Sequence, residues 1–390
     1  MVGVGGRGRS NLNGVAGQDI VALCDVDARA LQEASEDFPG AATYADFRDL
    51  IRAGGLDAVV ISTPDHTHAP AAAMALRAGH DVYCEKPLAH TVHEVRVLTD
   101  LARESGAVTQ MGTQIHALPN YRRVVELVQS GAIGPIEEAH VFVNGTNWSG
   151  GELPSSGVPA PDDLDWDLWL GPAPYRDYAP KIYHPAHWRR WWDFGGGTMA
   201  DMGCHFMDLA FWALELKQPL TVRAEPGPIH PHSTPAGMTV HYRFPERGDQ
   251  PAVDLTWYDG RNRPPILADL GLEAWRNGAL FIGRDGWLIA DYSKRELGPA
   301  DKFNGFKEPA PWIPDSIGHY NEWLRACRTR EAASCSFDYS GPLTETVLLG
   351  LVSYRVGGKE LAWDAEELRV EDLQEANDLL RSEYRAGWSL

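Results

Sequence analysis

No stretch of the sequence approaches the roughly 20 consecutive apolar residues that a membrane-spanning helix requires. The chain also lacks a run of basic residues that could offset its formal net charge of −19 at pH 7. A chain this acidic repels nucleic acids and anionic membrane surfaces, so the sequence predicts neither kind of partner.

Cysteine is scarce, and no Cys-x-x-Cys pair occurs among the five cysteines of the chain. An odd number without paired spacing predicts free, mostly buried thiols in a reducing compartment, and hence a cytoplasmic protein. The sequence predicts no signal peptide, because it opens directly on a glycine-rich loop. That opening leaves almost no room for a first strand, so the alternative is a longer natural N-terminus that carried an export signal.

The 390 residues suffice for two domains, each with its own core. The most informative motif stands at the start, where Gly3, Gly5 and Gly8 fit the pattern G-x-G-x-x-G. A helix is predicted over 10–16, followed by a strand over 20–24. Glycines let the backbone approach a pyrophosphate, and a helix N-terminus attracts its charge, so this order predicts a bound dinucleotide.

Asp25 ends the predicted second strand, about 20 residues beyond the glycines, where it can accept hydrogen bonds from the adenosine ribose hydroxyls. A carboxylate there repels a 2′-phosphate, which favours NAD over NADP. Arg7 and Arg29 are close enough in sequence to weaken that preference.

Strands and helices then alternate in the pattern of a parallel sheet with right-handed crossovers. Helices are predicted over 27–38, 44–53, 70–78 and 91–105, and strands over 57–62, 82–84 and 108–112.

Lys86 follows one of these strands and precedes Pro87, which restricts it to extended geometry. The carboxyl ends of strands in an α/β sheet are where such sheets bind ligands. His66 and His68 follow the neighbouring strand and are predicted to donate hydrogen bonds and pack beside the nucleotide rather than to bind a metal. The predicted cofactor-binding residues are Gly3, Gly5, Gly6, Arg7, Gly8, Asp25, Thr63, Pro64, His66, His68, Glu85, Lys86 and Gln114.

Taken together, the glycine motif, Asp25, Thr63-Pro64-x-x-x-His68 and Glu85-Lys86-Pro87 resemble the Gfo/Idh/MocA oxidoreductases. The resemblance continues through Trp169-Leu170-Gly171-Pro172 and Asp201-x-x-x-His205 and covers essentially the whole chain. It implies an α/β fold with a Rossmann domain over 1–118. A second α/β domain over 119–390, with a large, mainly antiparallel open sheet, would bind substrate and form oligomers. Members of the family act mostly on sugars, cyclitols and related polyols.

Aromatic and cationic residues are concentrated before the helix that is predicted to begin near Thr198. One interpretation is the edge of a core. The favoured one is a sugar-binding wall, in which aromatic faces cover the C–H surfaces of a pyranose while Arg and His bond its hydroxyls. The predicted substrate-binding residues are Lys86, Tyr183, His184, Trp188, Arg189, Asp201 and His205.

On that helix Asp201, His205 and Asp208 are spaced to form one polar stripe. The spacing could bind a divalent metal, but no metal is predicted, because the resemblance implies that Asp201 and His205 supply an acid–base group beside Lys86. In this hypothesis His205 is the general base, Asp201 orients it or balances its charge, and Lys86 bonds the reacting oxygen. The roles of Lys86 and His205 can be exchanged.

The sequence therefore predicts an NAD-dependent sugar dehydrogenase that acts on a sugar or glycoside hydroxyl, at C3 by analogy with the family. The alternative is an NAD-dependent, redox-neutral glycoside hydrolase or lyase that works through a transient keto-sugar. A third possibility is a non-enzymatic NAD-binding regulator. The exposed face of an open sheet would be a large apolar patch, which predicts a homodimer or homotetramer.

Overall fold

A computed structural model describes residues 1–145 and 148–390. In its first part, short strands alternate with helices, as the sequence pattern predicts. The elements in chain order are α1 (Arg7–Val15), β1 (Ala22–Cys24), α2 (Ala28–Asp37), β2 (Ala42–Tyr44), α3 (Phe47–Ala53), β3 (Ala58–Ile61), α4 (Asp65–Arg77), β4 (Asp81–Cys84), α5 (Val92–Ser105) and β5 (Thr109–Met111).

All strand pairs of this part are parallel, with β2 beside β1 and β3, β4 and β5 in that order. Val2 joins the two groups, because it bridges in parallel to Cys24 of β1 and to Ile61 of β3. The first strand is thus reduced to a single bridging residue. The resulting order places the carboxyl ends of β1, Val2, β3 and β4 side by side along one edge, where a doubly wound sheet binds its ligand.

The predicted helix over 44–53 is wrong at its start. Tyr44 ends strand β2, which pairs with β1, and the helix begins only at Phe47. Asp46 caps that helix by accepting a hydrogen bond from the backbone N–H of Arg48 at 2.8 Å. An aspartate in extended geometry favours a helix start, and this local capping signal outweighs the helical pattern of the residues before it.

The second part builds a wide sheet in the order β12-β11-β10-β6-β9-β8-β7-β13-β14. Only the pairing of β6 with β9 is parallel among the pairs of this sheet that the structure describes. Its helices are α6 (Pro119–Gln129), α7 (Trp166–Leu170), α8 (Gly197–Leu214), α9 (Ile266–Asp269), α10 (His319–Thr329), α11 (Phe337–Arg355) and α12 (Gln374–Leu379). Its strands are β6 (Ile136–Val143), β7 (Thr221–Ala224), β8 (Thr239–Phe244), β9 (Val253–Asp259), β10 (Gly278–Gly283), β11 (Gly286–Ala290), β12 (Arg295–Gly298), β13 (Leu361–Asp364) and β14 (Arg369–Val370).

This architecture confirms the predicted α/β fold, with a parallel Rossmann sheet followed by a large, mainly antiparallel sheet. Helix α8 contacts α6, α11 and strands β6 and β10, so it lies on the face of the wide sheet that turns towards the first part. One hydrophobic core contains side chains of both parts, including Val82 of β4, Leu209 of α8 and Trp257 of β9. The division at 118/119 therefore stays a prediction.

The other face of the wide sheet is not the large apolar patch that the sequence suggested. Phe142, Leu280 and Ile289 on that face pack beneath Leu272 and Trp275, which belong to the segment after α9. Arg243 and Asp254 form an ion pair on neighbouring strands. The predicted dimer or tetramer stays a prediction, and an exposed apolar sheet face no longer supports it. Among the described residues, no helix has both the length and the apolarity that crossing a membrane requires.

Candidate active site

A cavity of about 870 Å³ lies between the carboxyl edge of the parallel sheet and helix α8. Both parts of the chain supply its walls. The loops after Val2, β1, β2, β3 and β4 form one side, and α7, the segment around Trp188, helix α8 and Tyr292 form the other. A cavity of this size that joins charged and aromatic groups is the expected form of a cofactor and substrate site.

The glycine loop packs so closely at Gly3 and Gly8 that neither position has room for a side chain. A Cβ added to Gly8 would lie 2.2 Å from the carbonyl oxygen of Gly3, and a Cβ on Gly3 would lie 2.8 Å from the carbonyl carbon of Ser62. Gly6 precedes helix α1 with φ +49°, a conformation that favours glycine, and has no atom within 4 Å of its would-be Cβ. Gly5, Gly6 and Arg7 line the cavity, so the N-terminus of α1 lies where a phosphate would bind.

Asp25 lines the same cavity at the end of β1. Its Oδ2 accepts hydrogen bonds from the backbone N–H groups of Val4 at 2.8 Å and Gly5 at 3.3 Å, and its Oδ1 accepts one from Asp27 at 3.0 Å. Burial raises the pKa of this carboxyl, and these three donors oppose the rise. Asp25 thus ties the glycine loop to β1, and lone pairs remain on its two oxygens for ribose hydroxyls.

Four further predicted cofactor residues, Thr63, Pro64, Glu85 and Gln114, also line the cavity. Glu85 Oε1 accepts hydrogen bonds from Asn11 Nδ2 at 2.9 Å and Gln114 Nε2 at 2.8 Å, which fixes both side chains at the ends of β4 and β5. The buried Oγ1 of Thr63 has no partner within the described part of the chain. An unsatisfied buried hydroxyl is costly, so a ligand that bonds this atom would fit the site.

His66 and His68 do not line this cavity, which corrects their predicted role beside the nucleotide. His66 Nε2 lies 3.1 Å from the carbonyl oxygen of Trp169, and its ring borders a separate, smaller cavity. His68 has Nδ1 and Nε2 each 2.8 Å from a carbonyl oxygen, of Pro87 and Thr63 respectively. Burial lowers the pKa to about 3 for His66 and to about 4 for His68. Both histidines thus contact backbone carbonyl groups of nearby loops and hold those loops together outside the cavity.

Lys86 and Asp201 meet in the cavity. The ammonium of Lys86 lies 2.6 Å from Oδ1 of Asp201 and 2.5 Å from its carbonyl oxygen. Oδ1 also lies 3.3 Å from Arg189 Nε, and Oδ2 accepts a hydrogen bond from Trp148 Nε1 at 2.7 Å. Burial alone would raise the pKa of Asp201, but Lys86 and Arg189 outweigh it and hold that pKa below its usual range. The carboxylate is therefore ionised and accepts hydrogen bonds on both oxygens.

His205 lines the cavity one helical turn beyond Asp201. No hydrogen bond joins these two side chains in the described part of the chain, so Asp201 does not orient His205 directly. Its charge does oppose the lowering of the pKa of His205, in line with the charge-balancing role that was the other half of the prediction. Both oxygens of Asp201 are engaged by Lys86, Arg189 and Trp148 instead. His205 Nδ1 has no partner within the described residues. Burial and the nearby Lys86 charge lower the pKa of His205 well below its usual value, so the imidazole is neutral at pH 7.

Asp65 is a cavity residue that the sequence did not single out. It begins helix α4 and is 4% exposed. Burial raises the pKa of this carboxyl to about 7, although Arg189 and Lys86 oppose the rise. The site therefore has two carboxyls with opposite behaviour, because Asp201 keeps its charge while Asp65 titrates near neutral pH.

Of the residues predicted to form a sugar-binding wall, some line the cavity and one is buried in a core. His184, Trp188 and Arg189 line the cavity, and the guanidinium carbon of Arg189 lies 4.2 Å from the ring centroid of Trp188. Tyr183 does not, because it is 1% exposed and packs in a separate aromatic core with Trp191 and Phe194. The aromatic density of this segment thus forms both a core and a wall. Neighbouring side chains point either into the cavity or into the core, and the composition of the segment does not predict which.

The polar stripe of α8 divides in the same way. Asp208 is fully buried, lies 3.0 Å from Nδ1 of His116 and accepts a hydrogen bond from Tyr339 Oη at 2.7 Å. It does not converge with Asp201 and His205 on one point, so it belongs to the support of the helix rather than to the cavity.

The sequence analysis also missed Tyr292 and Trp388, which line the cavity, and Trp148, which donates a hydrogen bond to Asp201. Tyr292 follows β11 and stacks on Phe206 of α8 with ring centroids 4.6 Å apart. Trp388 comes from the last ten residues and faces the loop after β2. A lone tryptophan in a Gly- and Ser-rich loop or near the end of the chain was the available signal, but sequence alone does not say where such loops fold back.

Two family models match the chain. Residues 1–113 match the model described as "Oxidoreductase family, NAD-binding Rossmann fold", and residues 119–250 match "Oxidoreductase family, C-terminal alpha/beta domain". Both models belong to the same group, Gfo/Idh/MocA, and together they cover more than half of the chain.

Among curated proteins, the inositol 2-dehydrogenase of Rubrobacter xylanophilus is 38% identical over 134 residues, which is 34% of this chain and 38% of that protein. The inositol 2-dehydrogenase of Salmonella typhimurium is 28% identical over 197 residues, which is 47% of this chain and 57% of that protein. The chain thus spans little more than half the length of the latter relative.

Solved structures share the fold over nearly the whole chain. The WlbA dehydrogenase of Bordetella pertussis, in complex with NADH and UDP-GlcNAcA, superposes with a TM-score of 0.67 at 18% identity, covering 93% of this chain and 97% of that one. A levoglucosan dehydrogenase in complex with NADH and levoglucosan gives a TM-score of 0.63 at 17% identity, covering 92% and 97%. At these identities the likeness establishes the fold.

Proposed function

The chain belongs to the Gfo/Idh/MocA family of NAD-binding oxidoreductases, and we propose that it transfers a hydride between a sugar or glycoside hydroxyl and NAD. The observation that carries the proposal is the meeting of Lys86, Asp201 and His205 in a cavity that begins at the glycine loop. A proton-transfer group and a charged pair thus lie beside the place where a dinucleotide would bind.

The residues that would hold NAD are the glycine loop, Asp25, Thr63, Glu85 and Gln114. When bound, NAD supplies the acceptor for the hydride of the substrate alcohol. The preference for NAD over NADP rests on charge, because Asp25 and Asp27 both line this end of the cavity. Arg29 offers little compensation, since Asp27 and Asp163 accept its Nε–H at 3.2 and 3.0 Å.

His205 is the proposed general base. Because His205 lines the cavity and its imidazole is neutral at pH 7, it is in the form that can take the hydroxyl proton of a bound substrate. Lys86 is the proposed group that bonds the reacting oxygen. An ammonium has three N–H donors, and Asp201 accepts from two of them, which leaves one for the substrate.

Asp201 acts on the other two groups through position and charge. Its carboxylate fixes the Lys86 ammonium and the Arg189 guanidinium on one side of the cavity. A misplacement of about 1 Å at such a point costs about 100-fold in rate. Asp201 is thus a positioning residue, and the assignment of His205 and Lys86 to base and oxygen-binding group can be reversed.

A sugar or cyclitol is the proposed substrate class. Support comes from two relatives that are inositol 2-dehydrogenases and from two structural neighbours that hold UDP-GlcNAcA and levoglucosan. Within this cavity, His184, Arg189 and Tyr292 offer polar atoms for hydroxyls, and the ring of Trp188 supports the guanidinium of Arg189. Oxidation at C3 remains an analogy with the family.

One experiment separates the proposed function from the redox-neutral alternative. Purified protein, NAD and a panel of chromogenic glycosides, free sugars and inositols are combined in one cuvette, and NADH and aglycone are followed together. An increase in NADH without release of aglycone is the expected result, and the compound that produces it is the substrate. Aglycone release without net NADH would overturn the dehydrogenase in favour of a redox-neutral glycosidase. Absence of both, with NAD bound, would favour a regulator.

A further inference from the structure

The segment 384–390 places one residue, Trp388, at the end of the cavity that is farthest along the sheet from Lys86. Trp388 of this segment lines the cavity together with Ala45 and Asp46 of the loop after β2 and with Phe47, the first residue of α3. Strand β2 lies at the edge of the parallel sheet, beyond β1 and Asp25. The indole therefore faces the part of the cavity that lies beyond the ribose-binding carboxylate.

Several contacts hold the segment in place at both ends. Tyr384 Oη donates a hydrogen bond to Glu94 Oε1 at 2.6 Å, and the backbone N–H of Arg385 donates one to Pro172 at 3.0 Å. Arg48 donates a hydrogen bond to the carbonyl oxygen of Gly387 at 3.1 Å. Segment 384–390 is therefore a strap with a defined course, and not a free end.

Arg385 couples this strap to helix α7. Its guanidinium pairs with the carboxylate of Asp167 and donates to the carbonyl oxygen of Gly171 at 3.2 Å. Leu168 and Trp169 of the same helix line the cavity. The strap and α7 thus form one continuous outer wall, which faces the loops after β1 and β2.

The position of this wall indicates which part of the cofactor it would contact. In a Rossmann fold the glycine loop takes the pyrophosphate and the acidic residue at the end of the next strand takes the adenosine ribose. The purine ring must then lie beyond Asp25, towards the loop after β2. The side chains there include Val26, Ala30, Phe47 and Trp388, which are apolar or aromatic, as a purine face requires.

The environment of Trp388 presents the indole to such a ring. The guanidinium carbon of Arg48 lies 4.4 Å from the indole centroid and covers one face, while Phe47 lies at 5.9 Å with a tilt of 48°. These two side chains hold the indole at a fixed angle, and Trp388 keeps part of its surface open to the cavity. A flat aromatic group fixed in this way loses little conformational entropy when a ligand stacks on it.

We propose that Trp388, held by the strap 384–390, is an adenine-binding residue of the cofactor site. The inference rests on the proposed function, because it concerns the cofactor of that function. Residues 384–390 then help to retain the dinucleotide, together with the glycine loop and Asp25.

The test measures dissociation constants for NAD and for AMP by calorimetry on the full chain. Trp388→Leu should raise both constants by about tenfold, since base stacking on an aromatic side chain is lost. Trp388→Phe should stay within about threefold of the wild type, because a flat ring is retained. Trp312→Leu is the matched control: Trp312 is 49% exposed, is no part of this cavity, and its substitution should change neither constant.

Three outcomes would overturn the inference, and they are distinguishable from one another. If Trp388→Leu binds NAD and AMP as tightly as the wild type, the adenine role fails while the NAD-dependent function stands. If Trp388→Phe loses as much affinity as Trp388→Leu at an unchanged melting temperature, an aromatic face is not what the ligand uses. If the wild-type chain binds neither NAD nor AMP, the proposed cofactor fails and this inference with it.

Discussion

The ammonium of Lys86 and the carboxylate of Asp201 are 2.6 Å apart, although 115 positions separate the two residues in the chain. Lys86 follows strand β4 of the parallel sheet, and Asp201 lies in the first turns of α8, which packs on the wide sheet. Their side chains are only 11% and 14% exposed. The pair thus ties the two parts of the chain together inside the cavity where the chemistry is proposed.

Asp201→Asn should lower turnover by about 100-fold, because the substitution removes the negative charge that positions Lys86 and Arg189. The dissociation constant for NAD should change by less than about threefold, since Asp201 is not among the groups proposed to bind it. Steady-state kinetics and calorimetry measure the two quantities. Asp301→Asn, at an exposed position, is the matched control. Normal turnover in Asp201→Asn would contradict the positioning role.

His205→Asn should lower turnover by about 10²–10⁴-fold, the usual contribution of a general base. Asparagine keeps a polar side chain in the cavity but cannot accept the substrate proton. Binding of NAD should persist, and calorimetry on the variant checks this. Turnover near that of the wild type would exclude His205 as the base and would favour Lys86 in that role.

Much of the fold could be predicted from local signals. The glycine loop, the alternation of strands and helices, and the position of Lys86 after β4 all depend on residues close in sequence, and the structure confirms the parallel sheet that they indicate. Strand β2 was missed because it has three residues and borders a helix cap at Asp46. A strand this short leaves no alternation to read.

The contacts of a site residue could be predicted only where its partners are close to it in the sequence. Asp201 lines the cavity beside Lys86, as the resemblance implied, but its carboxylate also bonds Arg189 and Trp148, which come from two other segments. The sequence analysis instead assigned this carboxylate to His205, its neighbour on the helix. Tyr183 and His184 are adjacent in the sequence and were both predicted to bind substrate. Tyr183 is buried in the aromatic core, whereas His184 lines the cavity. Such differences arise from tertiary packing, which residue spacing does not encode.

Asp25→Ala should relax the preference for NAD over NADP, because it removes the carboxylate nearest the proposed 2′-hydroxyl. Binding of both cofactors should weaken as well, since Asp25 also holds the backbone of Val4 and Gly5. The measurement is the ratio of kcat/KM for NAD to kcat/KM for NADP.

Arg29→Gln is the control for that ratio. Arg29 is already neutralised by Asp27 and Asp163, so its substitution should leave the ratio nearly unchanged. A ratio that does not move in Asp25→Ala, or that moves equally in Arg29→Gln, would remove Asp25 from the ribose role.

Asp65 should make stability depend on pH. Its pKa is about 7 in the folded chain against an ordinary value of 3.8, because burial penalises the charged carboxylate. Between these two values the unfolded chain releases a proton that the folded chain retains, so the contribution of Asp65 to stability is lost as pH rises from about 4 to 7. The full effect is on the order of 4 kcal/mol.

Asp65→Asn removes this titration and should therefore raise the melting temperature relative to the wild type more at pH 8 than at pH 5. Thermal unfolding of both proteins at the two pH values gives the comparison. Asp57→Asn, at an exposed position, should shift the melting temperature equally at both. A constant difference between Asp65→Asn and the wild type would mean that Asp65 is not buried as an acid.

Arg189 and Tyr183 offer a test of which side chains of the aromatic segment meet the substrate. Arg189 lines the cavity and pairs with Asp201, so Arg189→Met should raise the KM for the sugar by about tenfold, as expected for a lost charged hydrogen bond. Tyr183 packs in the separate aromatic core, so Tyr183→Phe should leave KM and kcat within about twofold of the wild type. Kinetics on both variants with the same sugar gives the contrast. A raised KM in Tyr183→Phe together with an unchanged KM in Arg189→Met would reverse the assignment of these two side chains.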